Sequence, residues 1–219
     1  MTIKETETLR ANIQNSFELL IKKIGTIQIG LPSQFPYGWR KSAKGRTVWR
    51  IVEEIVTQNL QKYHSDFNLD KAEPSPSEVS VYDIKCTSNK QDAYVNIKSA
   101  LANTRNSKDD ISKANGLIDF YNQDKEKQFF VATFYIKFNS NMTIEIEKCV
   151  VFPVAWIPDI YINPSNNGNL QSSKYKDLLL AQKRTNDAFI KELLKAKAIA
   201  DKKKAKKKAK VTTKKSTKK

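Results

Sequence analysis

The sequence predicts an α/β fold in which a central mixed β-sheet is flanked by helices. Two early segments carry apolar residues at spacings of three and four, as amphipathic helices do. The period then switches to two, and two long strand-like runs follow near residues 128–152. Helices and strands in this order suggest an α/β sandwich around the sheet.

The first helix spans Thr6 to Ile24, with Leu9, Ile13, Phe17, Leu20 and Ile24 on one side. Gly25 to Gly45 is rich in Gly, Pro and aromatic residues, too irregular for a helix and too apolar for a free linker, and is read as an ordered loop. Tyr37, Trp39, Arg40, Lys41 and Lys44 are placed there to reach a polyanion. A second helix runs from Arg46 to Tyr63 on the apolar stripe of Val48, Ile51, Val52, Ile55, Val56 and Leu60. Ser65 to Asp70 is then extended, Lys71 to Ser77 a Pro- and Ser-containing turn, and Glu78 to Thr87 an alternating strand. Residues 89–122 read as mainly helical and polar, with a break near Asn106 and Ser107. Gln128 to Phe138 and Met142 to Phe152 form a strong hairpin across the polar turn Asn139 to Asn141. The stretch after Pro153 is loop-rich, and Lys176 to Ala200 is the last helix.

Composition narrows the function. The chain has 219 residues, 39% of them hydrophobic, enough for one core, so residues 1–201 are taken as a single domain. No run approaches the roughly 20 apolar residues of a membrane span, and the N-terminal MTIKETETLR lacks the apolar core of a secretory signal, so a cytoplasmic protein is expected. Cys86 and Cys149 each lie in an apolar strand-like run, which suits buried thiols better than a disulfide or zinc site. Of the formal net charge of +16, residues 202–219 carry eleven lysines and no acid, leaving +5 for residues 1–201. Such a run is expected to be a disordered basic tail that attracts phosphates without specificity.

One strand carries chemistry. In Val79-Ser80-Val81-Tyr82-Asp83-Ile84-Lys85-Cys86, alternation puts Asp83 and Lys85 on the same face, about 7 Å apart along the chain. An acid and a lysine there are costly to bury as a structural pair. If the run holding Asp66 pairs with this strand through the turn at 71–77, its carboxylate converges on Asp83, and two such carboxylates call for a cation between them. Mg²⁺ fits, with Asp66 and Asp83 as its oxygen ligands, polarising a scissile phosphate and activating water. Lys85 would stabilise the developing charge or orient the attacking water.

The segment HSDFNLDKAEPSPSEVSVYDIKCTSNK resembles the active-site hairpin of the PD-(D/E)XK restriction endonucleases, most closely that of the EcoRV-like, blunt-cutting branch. Asp66 matches the first Asp of the family pattern, Asp83 the second acid and Lys85 the lysine, over roughly 25 residues; Ser65 stands in place of the usual proline. The resemblance implies a restriction-endonuclease-like fold and a type II enzyme that hydrolyses double-stranded DNA with Mg²⁺, as a homodimer on a palindromic site. It also implies an acid from the preceding helix, Glu53 or Glu54, of which Glu53, beside the apolar stripe, is preferred. Glu78 is the weaker alternative ligand. Candidate DNA contacts are Lys44, then Asn89, Lys90, Asn96 and Lys98 after the catalytic strand, and Asn166, Asn167 and Asn169 in the amide-rich loop 163–173. The helices at 6–24 and 176–200 are the candidate dimer elements. Two other readings stay open: a repair or recombination nuclease of the same fold, and a non-catalytic DNA-binding protein.

Overall fold

The computed structural model describes residues 1–39, 44–77, 79–102, 108–165 and 168–216, with backbone alone at 44–47 and 208–216. Helix α1 (Ile3–Ile24) begins a turn before the apolar spacing does, because Thr2 and Glu5 cap it reciprocally: the Thr2 hydroxyl accepts from the Glu5 N–H and the Glu5 carboxylate from the Thr2 N–H. Its stripe of Leu9, Ile13, Phe17 and Leu20 is fully buried. The loop that follows is ordered, as expected, and contains strand β1 (Thr26–Gln28). Trp39 turns inward, its ring centroid 5.1 Å from that of Phe35 and 5.0 Å from that of Phe138, while Tyr37 is exposed. Helix α2 (Lys44–Tyr63) buries Val48, Val52, Val56 and Leu60.

The next segment departs from expectation. Residues His64–Phe67 form a 3₁₀ turn that ends at Asn68 in the left-handed conformation, so the run around Asp66 is not extended. The stretch expected as a turn is instead strand β2 (Lys71–Pro74), which pairs antiparallel with β3 (Ile84–Ser88). Residues 89–122 are not mainly helical: they hold β4 (Gln91–Leu101), β5 (Asp109–Lys113) and only then α3 (Ala114–Gln123). The alternation of buried Ala93, Val95 and Ile97 is the period of a strand, masked in the sequence by the polar residues between them. Strands β6 (Gln128–Phe138) and β7 (Thr143–Pro153) form the expected hairpin. A small outlying pair follows, β8 (Tyr161–Ile162) and β9 (Asn169–Ser172). Helix α4 (Asn186–Ser216) starts ten residues later than expected, because 178–180 form a 3₁₀ turn, and it continues into the lysine-rich segment. The tail expected to be disordered is thus helical to Ser216. Alanine and lysine both favour helix, no Gly or Pro stops the run, and extending an existing helix needs no new nucleus.

Among the described residues, six strands form a mixed sheet in the order β1-β7-β6-β4-β3-β2, and β4 and β6 pair in parallel. A three-stranded sheet has the order β5-β9-β8. Successive residues of β6 serve opposite faces: Phe130, Ala132 and Phe134 pack with α1 and α2, and Phe129 and Val131 pack with α3 and α4. The expected mixed sheet between helices is therefore present. Beyond the reach of β1, Gln14 of α1 bridges the edge of β7, accepting from Val151 N–H at 2.8 Å and donating to Cys149 O at 2.9 Å. Cys86 and Cys149 are free and buried. No helix among the described residues is long and apolar enough to cross a membrane.

Candidate active site

The bend before β3 positions Asp83. Its backbone is held on both sides, with its N–H donating to Val95 O and its carbonyl accepting from Ser75 N–H, both at 2.9 Å. Just upstream, Tyr82 stacks edge-on against Tyr94, with centroids 5.0 Å apart, and Val81 lies where a side chain on Gly116 would collide. The Asp83 carboxylate accepts from Ile97 N–H at 2.6 Å. Continuing the β3–β4 register, in which Ile84 faces Val95, sets Asp83 opposite Asn96. Lys98 follows on the same side of β4, two residues along.

Helix α2 brings the second acid. Val52 and Val56 dock on the sheet, and Glu53 between them sits at the border of the apolar stripe with its side chain 19% exposed. Arg50, one turn earlier, pairs with it at 3.1 Å. Arg50, Glu53, Ser75 and Asp83 line one cleft of about 620 Å³.

The electrostatics tie the group together. Burial raises the pKa of Asp83, against the pull of the Ile97 N–H, Lys98 and Arg50. Glu53 is also raised, first by burial and then by the charge of Asp83, with Arg50 and Lys98 opposing. Lys98 therefore acts on both carboxylates. Two acids that each resist ionisation, with one repelling the other, form a place where a cation lowers the energy. Among the described residues no group of three or more His, Cys, Asp or Glu side chains is gathered to hold a metal. Two carboxylates still suit Mg²⁺, which is commonly held by one or two of them and completed by water and phosphate.

Asp66 does not join this group. It is exposed in the 3₁₀ turn and pairs with Lys23 at 2.9 Å. The chain meets β3 at its other end, where Asp70 N–H donates to Thr87 O, about 13 Å of strand away from Asp83. The expected convergence fails because the pairing partner of β3 is residues 71–74 and not the run at 65–70. Lys85 is also engaged elsewhere, with Glu73 at 2.9 Å directly across the ladder and Asp92 at 3.8 Å. Alternation would put Lys85 beside Asp83 only within a regular strand, and Asp83 lies in the bend before it.

Of the residues expected to contact DNA, Asn96 and Lys98 lie at the acidic group. Asn96 is only 9% exposed, donates to Val81 O at 3.1 Å and leaves its Oδ1 buried without a partner among the described residues. Asn89 and Lys90 form the tip of the β3–β4 hairpin, at the end away from Asp83. Asn169 lies on β9. Glu54 takes a hydrogen bond from Gln58 at 3.2 Å and lines the same cleft as Glu53. Glu78, Arg40, Lys41, Asn166 and Asn167 lie outside the described residues, as does the side chain of Lys44. Sequence reasoning missed Arg50 and the placement of Lys98 next to the acids. The buried alternation of residues 93, 95 and 97 is the signal that puts Asn96 and Lys98 on the polar side of a strand.

Fold and site together define a mixed-sheet α/β protein with two half-buried carboxylates, a lysine and an arginine at the mouth of a cleft. No protein-family model matches this chain, and no curated protein sequence matches it.

Proposed function

We propose that this chain is a Mg²⁺-dependent endonuclease that hydrolyses phosphodiester bonds of double-stranded DNA, with Glu53, Asp83 and Lys98 as its working groups. The observation that carries the reading is the meeting of two proton-retaining carboxylates, from a helix and a strand start, within reach of one lysine. The resemblance to the restriction-endonuclease hairpin survives in altered form. Asp83 remains an acid of the motif, but the lysine is supplied by Asn96-Ile97-Lys98, which keeps the acid-x-lysine spacing with an amide in the acid's place.

Mg²⁺ held by Glu53 and Asp83 supplies Lewis-acid polarisation of the phosphate and a more acidic water. The protein's own groups do the rest. Lys98 donates to the phosphate and offsets the charge that develops on it. Arg50 holds Glu53 by its ion pair, and the Ile97 N–H holds Asp83, so neither carboxylate has to be ordered when substrate arrives.

In its specific form the proposal is a type II restriction endonuclease that acts as a homodimer on a palindromic site, because a two-fold pair presents one site to each strand. Leu179, 94% exposed, and Leu194 offer apolar surface for such a pair. Sedimentation of the purified protein tests that part directly.

Cleavage of phage-length duplex DNA with Mg²⁺ tests the chemistry. Discrete fragments are expected from wild type and none from Asp83→Ala or with chelator. Lys98→Ala is expected to lower the rate by roughly 10²–10³-fold, as loss of a charge-stabilising donor does, and Lys85→Ala to leave it within a few-fold. Intact DNA in the wild-type lane sinks the proposal, and retarded intact DNA makes the chain a binding protein. Sensitivity to Lys85→Ala without sensitivity to Lys98→Ala returns the site to the β2–β3 hairpin.

A further inference from the structure

A second groove, of about 390 Å³, is lined by Lys98 and Asn96 of β4, by Gly116 of α3, and by Asp110 and Asn169 of the three-stranded sheet. Lys98 therefore faces this groove while its charge acts on Asp83 and Glu53. Across the groove, Asn169 and Gln171 share one face of β9 and donate to a single carboxylate. Asn169 Nδ2 reaches Asp110 Oδ2 at 2.8 Å, and Gln171 Nε2 reaches Asp110 Oδ1 at 2.6 Å. An ionised carboxylate only accepts, so both amides must turn their NH₂ groups toward Asp110 and their carbonyl oxygens away. Asn169 Oδ1 is buried without a hydrogen-bond partner among the described residues, and so is Asn96 Oδ1 in the same groove. A buried acceptor left unpaired costs stability, and two of them in one groove call for donors from a ligand. Cations stand nearby: Lys113 lines the groove, and Lys108 lies over the Tyr161 ring at 4.0 Å.

We propose that Asp110, Asn169 and Gln171 form the base-selecting element of the nuclease, presenting oriented carbonyl oxygens to the exocyclic amino group of an adenine or cytosine in the major groove. The inference rests on the nuclease reading for its substrate. It adds the determinant of sequence preference and its chemical sense. Adenine N6 and cytosine N4 offer donors in the major groove, whereas guanine O6 and thymine O4 offer only acceptors, which a row of carbonyl oxygens repels. Asp110 touches no base; it is a positioning residue that prevents the amides from flipping.

The test is selection of bound duplexes from a randomised DNA library in Mg²⁺-free buffer, followed by sequencing, for wild type, Asn169→Ala, Gln171→Ala and Asp110→Ala. Circular dichroism confirms that each variant is folded. Wild type is expected to enrich a motif with adenine or cytosine at a fixed position. Asn169→Ala or Gln171→Ala should reduce that preference by roughly 5- to 150-fold, the range one well-made base contact supplies, and leave unselected binding in place. Asp110→Ala should instead broaden the position to thymine and guanine, as freed amides turn their donors outward. A wild-type motif retained unchanged in all three variants overturns the inference, and so does a wild type that enriches no duplex motif, as a protein specific for RNA or for another protein would. The nuclease reading is scored separately, by adding Mg²⁺ to the bound duplexes and comparing wild type with Asp83→Ala.

Discussion

Asp83 and Glu53 hold their protons more tightly than free carboxylic acids do, so ionising them in the folded chain works against folding. Sites kept for chemistry often weaken the fold that carries them. Asp83→Asn and Glu53→Gln are accordingly expected to melt a few degrees higher than wild type in divalent-free buffer, while cleavage is lost; an unchanged or lower melting temperature would make the carboxylates structural. Glu73 is the opposite case. Hydrogen bonds from Lys71 and Lys85 hold its pKa down to about 2, from an ordinary value of 4.5. A carboxyl lowered by folding contributes stability that is complete above its unfolded value and is lost as the pH falls through its folded value. The window is therefore pH 4.5 to about 2. Because the pair is solvent-accessible its contribution is small, and acid titration of Glu73→Gln by circular dichroism should show a shallower loss of stability across that window than wild type.

The β3–β4 hairpin turns on two residues, Asn89 and Lys90, with φ of 49° and 62°. Two-residue hairpin turns with positive φ at both positions favour Asn followed by Gly, because a side chain at the second position is strained. Lys90→Gly is expected to stabilise the protein by about 0.5 kcal/mol, the relief of a left-handed side chain less the added freedom of glycine in the unfolded chain. Urea denaturation reads this, and destabilisation would mean that the Lys90 side chain makes a contribution of its own. This turn also explains why residues 89–122 read as helix. Asn-Lys is a weaker hairpin signal than Asn-Gly, and the polar partners of Ala93, Val95 and Ile97 dilute their alternation. The amphipathic pattern of α1 and α2 and the apolar run of β6 have no such competitor, and those elements stand where the sequence puts them.

Across the whole molecule the positive charge is segregated. Eleven lysines fall in residues 202–219, on the extension of α4 that runs past the buried Phe189, Leu193 and Ala200. Removing residues 202–219 should leave the melting temperature unchanged, since the packed part of α4 is retained. Binding to duplex DNA should weaken, and the slope of log K against log salt should become shallower by about 0.9 for each phosphate that the shortened chain no longer neutralises. The fragment pattern should stay the same if the tail contributes only charge. A changed pattern, or an unaltered salt slope, would contradict that role.

From sequence alone came the amphipathic helices, the β6–β7 hairpin, the mixed sheet between helices, the two buried thiols, the basic C-terminal segment, and Glu53 and Asp83 as acids worth pairing. Helical and strand periods are local properties, legible wherever apolar residues mark the inward face. The tertiary structure decided which groups meet those acids: Lys98 and Arg50, with Asp66 held by Lys23 and Lys85 by Glu73. That choice depends on which residues pair with β3 and on how α2 is seated over β4. Both are set by contacts between segments distant in sequence, and a strand shifted along its partner brings different side chains together without altering any local pattern.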